Sequence, residues 1–186
     1  MSTYIINSEP EAAAVADADE LLIFDASAGA TQKVGADVLR QFMGSGLVEV
    51  TASDALTSAE HGNRMVTMNA LAGLTLTLPA ATGTGDVYKV SVSVTVTSND
   101  YIIQVANATD EFLGGVIQTD VDTTDTLASY PALDADGFDT ITLNGSTTGG
   151  ILGDSFTITD IATGKFLLSG LINSTGTVAT PLSAAV

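Results

Sequence analysis

Cysteine and tryptophan are absent from the 186 residues, and the chain has one histidine and five basic residues, Lys33, Arg40, Arg64, Lys89 and Lys165. Each scarcity excludes something. Without cysteine there are no disulfide staples, no thiolate metal sites and no cysteine nucleophile, so stability has to come from packing or assembly. Five cations against 22 acids give a net charge of −17. That leaves too few positive groups to neutralise a run of phosphates or to hold an anionic membrane, and neither nucleic acid nor membrane is expected as a partner. No apolar run approaches the roughly 18 residues of a membrane span. The start, Met1-Ser2-Thr3-Tyr4, lacks the basic residues of a secretory leader, so the chain reads as soluble and not exported by that route.

What is present is apolar enough to fold: at 45% hydrophobic residues, the chain is no acidic disordered segment. Residues 1–46 read as an extended N-terminal arm. It is rich in Ala and acids over 9–20, then carries a small hairpin from the apolar run 21–24, a turn at 26–30 and a second extended piece at 31–34. A short helix follows over 35–43, with Val38, Leu39 and Phe42 at helical spacing. Gly44-Ser45-Gly46 has the composition of a flexible joint. From Leu47 onward the period is two, predicting strands at 47–50, 64–69, 74–78, 87–96, 101–105, 112–117, 139–143, 156–160 and 166–171. Leu74, Leu76 and Leu78 oppose Thr75 and Thr77; Val90, Val92, Val94 and Val96 oppose Lys89, Ser91, Ser93 and Thr95. Many short strands between turns rich in Gly, Asn, Asp and Ser predict an all-β fold, an antiparallel β-sandwich or jelly roll over 47–186. Tight turns are expected at Ser98-Asn99-Asp100, Asn144-Gly145 and 160–165, and 119–137 reads as a long exposed loop.

No catalytic, cofactor or metal site is expected. His61, in Ser58-Ala59-Glu60-His61-Gly62-Asn63-Arg64, has hydroxyl and carboxylate neighbours but no Gly-x-Ser-x-Gly elbow accompanies it, and it reads as a turn residue whose ring bonds backbone. Asp120, Asp122, Asp125, Asp134, Asp136 and Asp139 invite a calcium reading, yet the bidentate Glu that closes an EF-hand-type loop is missing, so they read as solvated loop charge. Thr82-Gly83-Thr84-Gly85-Asp86 resembles a phosphate cradle but lacks the Gly-Lys-Ser/Thr ending. Asn-x-Ser/Thr triplets begin at Asn107, Asn144 and Asn173 and read as products of a Ser- and Thr-rich composition.

Two segments carry a resemblance. Leu56-Thr57-Ser58-Ala59-Glu60-His61-Gly62-Asn63-Arg64, with Leu74-Thr75-Leu76-Thr77-Leu78-Pro79-Ala80-Ala81, is similar to a pattern of structural proteins of tailed bacteriophages, and the likeness covers most of residues 50–186. Ala18-Asp19-Glu20-Leu21-Leu22-Ile23-Phe24-Asp25 is similar to a segment near the N-terminus of some phage particle proteins. The short length and the lack of a repetitive shaft look most like a capsid decoration (cement) protein. The resemblance implies a non-enzymatic protein on the capsid exterior, with the major capsid protein and two further copies of itself, a homotrimer, as partners. A head-fibre, tail-fibre or baseplate subunit is the alternative. Leu21, Leu22, Ile23, Phe24, Val38, Leu39 and Phe42 are the candidates for a capsid or intersubunit contact; packing on the same subunit's own sandwich is the equal alternative for them.

Overall fold

The computed structural model describes residues 20–25, 29–35, 46–122 and 127–186. The chain divides into two compact units, Met1–Met43 and Gly44–Val186. In the first, β1 (Glu20–Asp25) and β2 (Ala30–Gly35) form an antiparallel hairpin in which Leu21 faces Val34 across the pair. Lys33 Nζ reaches Glu20 Oε2 at 2.5 Å. The short helix expected over 35–43 lies outside the described residues, apart from Gly35 at the end of β2.

The second unit is a β-sandwich. Its strands are β3 (Leu47–Val50), β4 (Asp54–Ala55), β5 (Met65–Met68), β6 (Leu74–Thr77), β7 (Val87–Val92), β8 (Tyr101–Gln104) and β9 (Glu111–Asp120), followed by β10 (Leu127–Ala132), β11 (Thr140–Leu143), β12 (Ser155–Ala162), β13 (Lys165–Ser174) and β14 (Leu182–Ser183). One four-residue helix, α1 (Ser58–His61), precedes β5. A seven-stranded sheet runs in the order β10-β9-β13-β12-β7-β5-β3, and a five-stranded sheet in the order β14-β11-β8-β6-β4. No helix among the described residues is long and apolar enough to cross a membrane.

The alternating residues do what their period dictates. Val66, Met68, Tyr88, Val90, Phe112, Phe156, Ile158, Phe166 and Leu168 point inward from the larger sheet. Leu74, Leu76, Tyr101, Ile103, Ile141 and Leu143 meet them from the smaller one, and all belong to one core. The rings of Phe112 and Phe166, level on paired strands, lie 6.4 Å apart. Tyr101 is fully buried, and its hydroxyl accepts from Ala70 N–H at 2.9 Å and donates to Val94 O at 3.1 Å, which removes the cost of burying it.

Three expectations need correction. The sandwich is not purely antiparallel: β13 with β9, β3 with β5, β5 with β7, β4 with β6 and β6 with β8 pair in parallel. A Greek-key jelly roll is antiparallel throughout, so of the two architectures this is the sandwich. Four of these parallel pairs arise because the chain alternates between sheets: β3, β5 and β7 lie in one, β4, β6 and β8 in the other. For the same reason Ser98-Asn99-Asp100 does not close a hairpin. The strand expected over 87–96 ends at Val92, and the chain crosses layers before β8, with Val96 N–H bonded to Gly150 O and Thr97 N–H to Leu71 O. Finally, 119–137 is not one loop. Its middle is β10, an edge strand antiparallel to β9; its inward residues are Ala128, Tyr130 and Ala132, and with two alanines flanking one tyrosine and Pro131 among them the period of two is faint. Pro131, which has no N–H to donate, is tolerated there because one side of an edge strand is unpaired.

Candidate functional site

The carboxylates come first, because in so acidic a chain they are the obvious chemistry. Asp160, at the inner side of β12, is only 4% exposed. Its carboxylate accepts from the backbone N–H groups of Thr82 (3.0 Å), Gly83 (2.7 Å) and Thr84 (3.1 Å), and from Thr84 Oγ1 at 3.0 Å. The glycine loop therefore does cradle an anion, and the anion is the protein's own. Gly83, at φ +79°, takes the left-handed turn that aims consecutive N–H groups at one point. Burial raises the Asp160 pKa, but the donors from Thr82, Thr84 and Gly83 outweigh it and hold the group below the usual carboxylate range.

Asp154 is built the same way, with a different balance. It is fully buried, and it accepts from Gly150 N–H (2.8 Å), Ile151 N–H (3.1 Å), Asn173 N–H (2.7 Å) and Asn173 Nδ2 (3.0 Å). Here desolvation exceeds the pull of the donors and pushes the pKa up. Asp139 fastens the end of the chain through Ala185 and Val186 N–H, and Asp110 fastens Ala81 N–H at 2.9 Å. Asn107 and Asn144, the starts of two Asn-x-Ser/Thr triplets, hold the backbone N–H groups of Thr109 and Ser146 in Asx turns.

His61 is 3% exposed. Its Nδ1 accepts from Thr57 N–H at 3.0 Å, while Thr57 Oγ1 accepts from Glu60 N–H at 3.2 Å, a reciprocal cap of α1. With Nδ1 accepting, the proton of a neutral ring sits on Nε2, which faces Asp54 Oδ2 at 3.5 Å. Both nitrogens are engaged in positioning the turn, and the ring is closed to an incoming substrate.

Asp134 and Glu111 converge on Lys165, and Lys165 holds the Asp134 carboxyl below its usual range. Asp136 accepts from Leu133 N–H, and Asp122 from Gly176 N–H. Among the described residues no three acidic or histidine side chains come together to hold a metal ion; Asp125 lies outside the described residues.

The outer face of the seven-stranded sheet carries aliphatic side chains in register. On it Ile117 pairs with Leu171 and Leu113 with Leu167 across β9 and β13, and Ile117, Leu167 and Leu171 are each close to half exposed (46%, 47% and 55%). Toward β7 the same rows continue through Ser155, Ser169, Thr157 and Thr159. Ile117, Ser155, Thr157, Ser169 and Leu171 border a shallow depression of about 340 Å³ floored by Phe156 and Gly170. On the strands of this face carboxylates are confined to the margins: Glu111 at one end, sharing Lys165 with Asp134, and Glu49 on the edge strand β3. Gly115 lies between Pro131 and Ser169 on this face, where an added Cβ would stand 2.4 Å from Tyr130 O. Only glycine lets β9 and β10 approach so closely.

Of the residues expected to make a capsid or intersubunit contact, Leu21 lies on β1 and is 45% exposed. Leu22, Ile23 and Phe24 follow it in β1, opposite Lys33, Gln32 and Thr31. Val38, Leu39 and Phe42 lie outside the described residues. Ile117, Leu167 and Leu171 are not among those expected contact residues, although the unbroken apolar triplet Phe166-Leu167-Leu168 marks a strand with grease on both faces. No protein family, curated protein or solved structure matches the chain.

Proposed function

We propose that the chain is a structural subunit of a tailed-phage particle that binds the outside of the capsid and stabilises the shell, as a decoration protein acting in trimers. The observation that carries this reading is the division of labour among the polar groups. His61, Asp110, Asp139, Asp154 and Asp160 each fasten a turn or loop to the sandwich, so the side chains that could do chemistry serve rigidity instead. A rigid block of this kind suits a clamp. The sequence resemblance to phage virion proteins points the same way, and a net charge of −17 on the exterior does not compete for packaged DNA. A subunit that binds only the assembled shell stabilises it by mass action.

The test is a copy count and a location. Heads carrying the chain are imaged, and its amount is measured against the major capsid protein. A copy number comparable with that of the shell subunits, with density on the outer shell, is the expected result. A small count confined to one vertex or the tail would replace this reading with that of a fibre or baseplate subunit, and failure to bind heads would end it.

A further inference from the structure

We infer that the outer face of the seven-stranded sheet, centred on Ile117, Leu167 and Leu171, is the surface through which copies of this chain associate. This deepens the proposed trimer by naming where the copies join, and it is tested without any capsid. Three observations support it.

The first is apolarity in register. Leu113–Leu167 and Ile117–Leu171 are neighbouring cross-strand pairs on β9 and β13, and the three largest exposures among them approach or exceed one half. The other exposed large apolar residues of the loops, such as Leu71, Leu133 and Leu152, are dispersed singly along the chain, as on any protein surface.

The second is charge. A second copy approaching a protein of net charge −17 is repelled wherever carboxylates face carboxylates. On the central strands β9, β13, β12 and β7 the outward residues are Leu, Ile, Val, Ser, Thr, Gly and Asn, with Lys89 and the Lys165–Glu111 pair as the charged ones. A basic partner would be drawn to a face that kept its acids. Removing them is what a like-charged partner needs, and the like-charged partner at hand is another copy.

The third is size. Seven strands at about 4.8 Å spacing make a face on the order of 30 Å wide, and strands of this length give it roughly 15–20 Å of height, so its projected area is on the order of 450–600 Å², more than half of the ~800 Å² that one partner contributes to a standard interface. The depression beside Ile117 and Leu171 gives an opposing aliphatic side chain a place to seat.

Sedimentation equilibrium on the full chain, from micromolar to submillimolar concentration, tests the inference. Wild type is expected at a multiple of its 18.8 kDa mass. Leu171→Glu and Ile117→Glu are expected to weaken association by about 30-fold or more, as loss of a central interface anchor does, with far-ultraviolet spectra unchanged and unfolding midpoints equal to that of wild type when all are measured dilute enough to be monomeric. Ile102→Glu, on the outer face of the other sheet, is expected to leave the mass as it is. A wild type that stays monomeric throughout would overturn the inference, and so would a Leu171→Glu protein that keeps its assembled mass or an Ile102→Glu protein that loses it. Association of the wild type combined with indifference to phage heads would support this surface while overturning the capsid reading.

Discussion

On the five-stranded sheet the outward positions of β6 and β8 are Thr75, Thr77, Ile102 and Gln104; on the seven-stranded sheet β9 and β13 turn out Leu113, Ile117, Leu167 and Leu171. Inside, the two sheets are alike: aromatic and aliphatic side chains, each almost without exposure. The contrast teaches what the outer leucines are not for. A strand needs only residues that suit a pleated, half-covered surface, and threonine does this as well as leucine. The smaller sheet shows that this sandwich folds with hydroxyls on its outside. Leucine on the larger sheet is therefore not needed to specify the strand, and the association proposed above is the role offered for it.

Substitutions on the two sides of one strand should break this comparison most sharply. Phe166→Ala, on the inner side of β13, is expected to cost about 3–5 kcal/mol in urea unfolding, whereas its neighbour Leu167→Thr should change stability by less than about 0.5 kcal/mol. Equal losses would mean that the outer face is part of the fold's own packing. Next in size is Asp154→Ala, which orphans the buried N–H groups of Gly150, Ile151 and Asn173 and is expected to cost about 2–3 kcal/mol. His61→Ala, which removes the partner of Thr57 N–H, should cost about 1–2 kcal/mol by the same measurement.

The two buried carboxylates respond to acid in opposite senses. Asp160 has a lowered pKa in the folded chain, so its contribution is present above the ordinary aspartate value and is lost as pH falls below about 4. Asp154 has a raised one: its contribution is fully present below the ordinary value and is lost as pH rises through the folded pKa. Compared with Asp160→Asn, wild type should lose stability below about pH 4; compared with Asp154→Asn, it should gain stability between neutral pH and about pH 4. Parallel pH profiles for the two variants would show that the donors around Asp154 outweigh its burial. The smallest expected change is Thr75→Leu, which places grease on the polar face and should leave stability within about 0.5 kcal/mol, while making the two outer faces more alike in sedimentation.

The strand pattern was legible because each strand reports its own two faces. Leu74 to Leu78 and Val87 to Val92 needed no partner to declare which side is dry. Strand β10 was not legible, since of its inward residues Ala128, Tyr130 and Ala132 only the tyrosine has size, and Pro131 beside it reads as a breaker. The glycines at 83 and 85 announced a turn; that its N–H groups would close on Asp160, 77 positions beyond Gly83, depended on where β12 came to rest. The same holds for His61, whose backbone-holding role was readable from its turn, but not its Asp54 neighbour.

By itself, then, the sequence determined a β fold, an acid-rich surface and a chain without thiol chemistry, because period, charge and composition are local properties. Tertiary structure alone decided that half the sandwich pairs in parallel, that buried aspartates serve as loop anchors, and that four aliphatic side chains from β9 and β13 stand together on one face. These are matters of which distant segments become neighbours. Hydrogen-bond direction and desolvation act only between groups that folding has already brought within a few ångströms.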